Sequence, residues 1–349
     1  MSAHPGSGRR VLTLAALVVG SLVVGLLLTE LAHRVARHWI CAGRPTNTLY
    51  EHKDGYGWGH RANAVGRMYA CIGRKYEWQV DVRTNAQGLR GEDRPYAKPA
   101  GARRVLLLGD SITEAVQVPE DETFAARLEA GLRSDGTAAE VLNAGVAAFG
   151  TDNALSFFRA EGVRYSPDLV LLVFNAANDV SENHPGLNRK VYGEHAENLV
   201  AKTTFRLDAK GRLVAVPPTP WTGQPAGWWT QIESRFYVLR AMRRVLMDRA
   251  APPQTAPNLT LLDVMSRDPD PEWREAWAVT EALVRELRTA VERSGARFAV
   301  AIMPSREPLV PSWRLATQAN PTIAERFDPA LPVRRMAAFL EREGIPHLD

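Results

Sequence analysis

The chain has 349 residues, of which 45% are hydrophobic and 23% charged. That balance excludes a disordered polymer and predicts a packed core in one large domain or two modest ones. Lys and Arg number 43 against 39 acidic residues, a net charge of +4. The basic residues are interleaved with acids and form no run that would track a phosphate backbone, which tells against nucleic-acid binding.

Taken in chain order, a short tail (1–10) precedes the apolar stretch VLTLAALVVGSLVVGLLL, Val11–Leu28, which holds no charge. As a helix it would be about 27 Å long, close to the hydrocarbon thickness of a bilayer. It exceeds the apolar core of a cleavable signal, and no small-residue cleavage motif follows. Residues 11–30 therefore read as an uncleaved single-pass anchor rather than a buried core helix. Arg9 and Arg10 precede the span, and Arg34, Arg37 and Arg44 follow it, so the positive-inside rule leaves orientation open. The two cysteines, Cys41 and Cys71, both follow the span. They fit one disulfide in an oxidising compartment, the alternative being two unrelated thiols. Together these features predict an extracytoplasmic C-terminal part, periplasmic or at the cell surface.

Residues 31–101 read as a juxtamembrane region of short strands and loops, with a strand within 76–85. The glycine-rich GYGWG at 55–59 neither follows a buried strand nor opens a helix, so it is no dinucleotide fingerprint. From residue 102 the pattern alternates. Apolar strands are expected at 105–108, 141–143, 169–174, 298–303 and 345–348. Helices are expected at 123–132, 152–161, 273–291 and 336–343. Near-continuous apolar strands separated by helices indicate a parallel sheet covered on both faces, a three-layer α/β domain over 102–349. An insertion, about 183–270, carries a hairpin at 204–216 turning at Ala209, Lys210 and Gly211, and reads as a lid or as a plain surface excursion.

Three polar stations follow the first three strands: GDS (109–111), NAGVAAFGTD (143–152) and NAAND (175–179). They should gather at one sheet edge, where ligands of such sheets bind. A nucleophile with several donors aimed at one oxyanion suits acyl transfer. Plainer roles stay open. Ser111 to Glu114 match an S-x-x-E capping box, so Ser111 could simply cap a helix. Thr151 or Asp152 could cap the next one, and Asn178 and Asp179 could be turn formers. No G-x-S-x-G, S-x-x-K, phosphate loop or H-E-x-x-H occurs, and His33 and His38 are five apart. Neither a metal nor a cofactor is expected.

In this order, GDSITEA, NAGVAAFGTDNAL and AANDV resemble the first three blocks of the SGNH (GDSL-type) hydrolases, most of all the bacterial branch with an N-terminal membrane anchor, in which a segment like TNAQGLRGED often precedes the serine block. The resemblance covers about residues 50–349 and implies a flavodoxin-like fold. It also implies Ser111 as nucleophile and backbone oxyanion donor, Asp110 as turn former, and Asn178 as side-chain oxyanion donor. The second-block backbone donor, normally a glycine, falls on Ala148, with Gly150 its rival; alanine serves there only if the site needs no positive φ. The base of this family stands in a D-x-x-H block, and this sequence contains none. The histidines are at 4, 33, 38, 52, 60, 184, 195 and 347. His347, in the order H-x-D within the fifth strand, reads as a strand histidine. The base His and its Asp are thus absent from this chain, which is expected to stop just before the block; without them, hydrolysis should be severely impaired. The expected function is a membrane-anchored serine esterase acting on a small-molecule or polysaccharide ester. The rivals are an O-acyltransferase on cell-envelope polysaccharide and a non-catalytic scaffold or glycan-binding protein.

Overall fold

The computed structural model describes residues 7–36, 49–72, 75–192, 202–218, 236, 238–239, 259–305 and 311–349. The chain divides into two units. One takes Met1–Arg44, Tyr69–Trp78 and Thr222–Thr255; the other takes Pro45–Met68, Gln79–Trp221 and Ala256–Asp349.

In the first unit, α1 (Ser7–Ala36) is one continuous helix. Its segment Leu12–Ala32 is long and apolar enough to cross a membrane, and residues 12–29 of it are exposed. Cys41 lies outside the described residues, as do His4, His38 and His195.

The second unit is built on a five-stranded sheet. In chain order come the hairpin β1 (Tyr50–Lys53) and β2 (Gly57–His60), then β3 (Val65–Ile72) and β4 (Lys75–Arg83), a two-stranded sheet of its own whose residues Tyr69–Trp78 belong to the first unit. The main sheet begins with β5 (Arg103–Gly109), followed by α2 (Ser111–Glu114), α3 (Phe124–Ser134) and β6 (Ala139–Asn143). Then follow α4 (Thr151–Ala160), β7 (Leu169–Asn175), α5 (Asp179–Glu182) and α6 (Pro185–Tyr192). The hairpin β8 (Thr204–Leu207) and β9 (Leu213–Val216) precedes α7 (Pro271–Arg293) and β10 (Arg297–Met303). Helices α8 (Pro311–Ala319), α9 (Pro321–Arg326) and α10 (Leu331–Glu343) lead to β11 (His347–Leu348).

The main sheet is parallel, in the order β6-β5-β7-β10-β11. Counted along the sheet's own strands this is 2-1-3-4-5, the flavodoxin-like order, with its switch point between β5 and β7. Burial on both faces explains the unbroken Leu106–Leu107–Leu108 run of β5. Leu106, Leu108, Leu142, Val170 and Leu172 pack with α4, α7 and α10, whereas Val105, Leu107 and Val141 pack with α3. Register is pinned by an ion pair. Arg104 on β5 lies opposite Glu140 on β6, wholly buried. Its guanidinium donates twice to Glu140 Oε2, at 2.8 and 2.6 Å, and to the carbonyls of Tyr96 and Tyr165. A buried arginine is tolerated when its donors are satisfied in this way.

Each strand and helix expected after residue 102 is present, within a few residues. The fifth strand is shorter than expected, only His347–Leu348 pairing with β10. GYGWG runs from a turn into a strand. Its second half is β2, paired antiparallel with β1 and belonging to the same unit as the sheet. The insertion hairpin turns as expected, with Asp208 Oδ1 accepting from Lys210 N and Arg212 N.

Candidate functional site

The carboxyl ends of β5, β6 and β7 bring the three stations together. At the first, Asp110 is the N-cap of α2: its Oδ1 accepts from Ile112 N at 2.9 Å. This corrects the capping-box reading. Ser111 is the first helical residue and caps nothing, because Asp110 already occupies the capping position. Glu114, the other half of the apparent box, turns away to His60 Nε2 at 2.7 Å and to the Tyr50 hydroxyl. Ser111 is partly exposed, and neither its hydroxyl nor its N–H meets a partner among the described residues.

The second station packs directly on α2. Val146 N donates to the Gly109 carbonyl at 3.1 Å, and Asn143 Nδ2 donates to the Thr113 carbonyl at 2.8 Å. Gly145 is required by contact: a Cβ there would stand 2.4 Å from Glu114 N. Residues 146–149 form a tight turn in which Ala148 takes φ +62°. The turn takes left-handed backbone at Ala148, the conformation expected to tell against alanine at this position, and alanine adopts it under strain. Ala148 N–H has no acceptor among the described residues. Gly150, its rival, is the N-cap of α4 and its N–H donates to Asn153 Oδ1 at 3.2 Å. The cap expected of Thr151 or Asp152 therefore falls on Gly150 instead, because Asn153 reaches back to its N–H.

At the third station, Asn178 is the N-cap of α5. Its amide nitrogen donates to Glu182 Oε1 at 2.9 Å and to Asp110 Oδ2 at 3.2 Å, and Asn175 Nδ2 donates to the same Asp110 oxygen at 2.8 Å. Asp110, wholly buried, is thus held by two amides rather than a cation. Both hydrogens of the Asn178 amide are engaged, so donating to an oxyanion requires it to release one, and the 3.2 Å bond to Asp110 is the weaker. Asp179 combines a turn role with burial: its Oδ2 accepts from Asn175 N. Burial, then the nearby charges of Asp110 and Glu182, push its carboxyl well above the usual range.

A second buried cluster, not evident in the sequence, backs this edge. Lys202, from the insertion, donates to Asp152, to Asn153 Oδ1 and to the Glu182 carbonyl, all within 3.0 Å. Burial pushes the Asp152 carboxyl up, and the Lys202 ammonium pulls it back part of the way. The β1–β2 hairpin also reaches the second station. Trp58 Nε1 donates to the Ala147 carbonyl at 2.9 Å, and Asn153 Nδ2 donates to the Tyr56 carbonyl. Partners 89 and 97 residues apart leave no local pattern, so neither contact was legible.

His60 is bonded to Glu114, and His184 lies near Glu272 and Glu275. His347 faces the Ile345 carbonyl at 3.1 Å on the edge strand, three strands from β5. None of these three pairs with Ser111. A cleft of about 410 Å³, lined by Arg90, Arg94, Glu120 and Arg133 among others, includes none of Ser111, Ala148 and Asn178. No group of His, Cys, Asp and Glu suited to a metal ion occurs among the described residues.

No family model matches the chain, and no curated protein does. Solved structures do align. TesA is 12% identical, with 64% of this chain and 73% of that one covered, at a TM-score of 0.29. The psychrotrophic esterase EstA from Pseudoalteromonas sp. is 15% identical over 64% and 72%, at 0.27. AlinE4, an SGNH-hydrolase family esterase, is 16% identical over 70% and 96%, at 0.24. Values this low carry no argument about chemistry, which rests on the chain's own residues.

Proposed function

We propose that the chain is a serine esterase of the SGNH type, tethered to a membrane by α1 with its sheet unit outside the cytoplasm. Ser111 Oγ gives its proton to solvent and attacks an ester carbonyl, the alkoxide leaves and takes a proton from solvent to become the alcohol, and water adds to the acyl-enzyme to release the carboxylic acid and restore the Ser111 hydroxyl. The oxyanion is met by the N–H groups of Ser111 and Ala148 and by the Asn178 amide, which trades its longer bond to Asp110 for the substrate. Asp110 shapes the turn and anchors Asn178. The observation that carries this reading is the division of labour at the end of β5. Asp110 does the capping, which leaves a serine hydroxyl without a structural task at the switch point of the sheet. His60, His184 and His347 are held elsewhere and do not supply the imidazole.

The test is labelling of the purified full chain with an activated organophosphate, read by intact mass and peptide mapping. A single adduct on Ser111, absent from Ser111→Ala, supports the reading. Adducts elsewhere, or none, would leave the scaffold reading in possession. Release of an activated acyl ester to water or to added glycan then separates esterase from acyltransferase. The same preparation, alkylated with and without reduction, tests the proposed Cys41–Cys71 disulfide.

A further inference from the structure

We infer that Trp58 is a positioning residue for the oxyanion donor at Ala148, an inference that rests on the reading above. Phe149 N donates to the Val146 carbonyl at 3.1 Å, closing a four-residue turn with Ala147 and Ala148 at its centre. Ala148 has φ +62° and Ala147 does not have positive φ, which makes the turn type II. Type II differs from type I chiefly in the orientation of the central peptide, here that of Ala147 and Ala148. Within a trans peptide the C=O and the N–H point in opposite directions. A partner that holds the Ala147 carbonyl therefore fixes where the Ala148 N–H is aimed.

Trp58 is that partner. Its indole N–H donates to the Ala147 carbonyl at 2.9 Å, and its ring stands edge-on to buried Phe149, centroids 5.5 Å apart. The constraint is needed because the residue is alanine. Left-handed backbone disfavours alanine roughly tenfold against ordinary conformations, and flipping the central peptide to type I relieves it. One indole hydrogen bond is worth a comparable factor. Without it the turn relaxes and the Ala148 N–H turns away from its present direction, while the surrounding fold stays intact.

The experiment measures the second-order rate of Ser111 labelling by diethyl p-nitrophenyl phosphate in the full chain. The Oγ–P bond forms, p-nitrophenolate leaves and the hydroxyl proton passes to buffer, so the readout needs no base from the protein. Trp58→Phe, which keeps an aromatic ring against Phe149, should label about tenfold more slowly than the parent. Adding Ala148→Gly to Trp58→Phe should bring the rate back to within about threefold, because glycine accepts positive φ without strain. Should Trp58→Phe fold poorly, 3-benzothienylalanine at position 58 keeps the indole shape and removes only the N–H; the same slowing is expected. A parent and a Trp58 variant that label within threefold of each other overturn the assignment. Slowing that Ala148→Gly does not reverse overturns the peptide flip as its cause. A parent whose Ser111 is not labelled overturns the serine-hydrolase reading, and this inference with it.

Discussion

Replacing Lys202 by methionine leaves a buried carboxylate without its cation, and the structure bounds the cost. The Lys202 side chain is 3% exposed and Asp152 wholly buried, with 2.7 Å between ammonium and Asp152 Oδ2. In the variant the upward push of burial on Asp152 is opposed only by backbone N–H donors such as that of Asn153, and the carboxylate escapes by binding a proton. Keeping that proton costs at most ~1.4 kcal/mol for each pH unit above the free aspartate pKa of about 3.9. The ceiling is therefore about 1.5 kcal/mol at pH 5 and about 4 kcal/mol at pH 7, within the 3–5 kcal/mol range typical of a broken buried pair. Losing Lys202 also removes one of the two donors to Asn153 Oδ1 and the ammonium donor to the Glu182 carbonyl, which adds a contribution that does not vary with pH. The assay is urea denaturation of the detergent-solubilised chain, followed by tryptophan fluorescence, since Trp273 and Trp277 are buried in the core. Lys202→Met should destabilise strongly at pH 7 and distinctly less at pH 5. Adding Asp152→Asn should recover most of the pH-dependent part. A loss below about 1 kcal/mol at pH 7, or a loss of equal size at both pH values, would refute the view that this pair is a buried, charged link between the insertion and α4.

In a protein that carries the D-x-x-H base, Asn178→Ala should lower turnover of an activated ester by about 10²–10³, the usual cost of one oxyanion donor; a change under threefold removes Asn178 from the site. Asp179 is lifted above the carboxylate range, so the folded state binds its proton more tightly than the unfolded chain does. Its contribution to stability is therefore greatest below the unfolded pKa and declines as pH rises toward the folded one. Asp179→Asn, which keeps an acceptor for Asn175 N, should raise the melting temperature more at pH 8 than at pH 5, and equal shifts would contradict this. Gly145→Ala forces a methyl to within 2.4 Å of the Glu114 backbone, so it should displace α2 and abolish Ser111 labelling; retained labelling would show that α2 can shift at no consequence.

How far the chain's organisation can be read without its coordinates depends on the range of the forces involved. Leu106–Leu108, Leu169–Phe174 and Phe298–Ile302 are apolar on both faces, and that alone requires strands covered by helices on each side; the 3.6-residue stripe of Pro271–Arg293 supplies one of those layers. The site stations were legible for the same reason, since polar residues directly after buried strands fall at one sheet edge. Local pattern failed where two readings satisfy the same short stretch. D-S-x-x-E offers both Asp110 and Ser111 as caps, and only the amides of Asn175 and Asn178, more than sixty residues away, hold Asp110 in place as the cap.

By itself, then, the sequence determined the parallel α/β class, the apolar N-terminal span and the three strand-end stations, because burial and periodicity act through neighbours along the chain. The tertiary structure alone decided that Ser111 caps nothing, that Ala148 rather than Gly150 keeps a free N–H, and that Trp58 and Lys202 brace the site from distant segments. The Asp110, Trp58 and Lys202 outcomes depend on which donor meets which acceptor between residues 50 to 89 apart, as Lys202–Asp152 and Trp58–Ala147 are, and such pairings leave no periodicity to read.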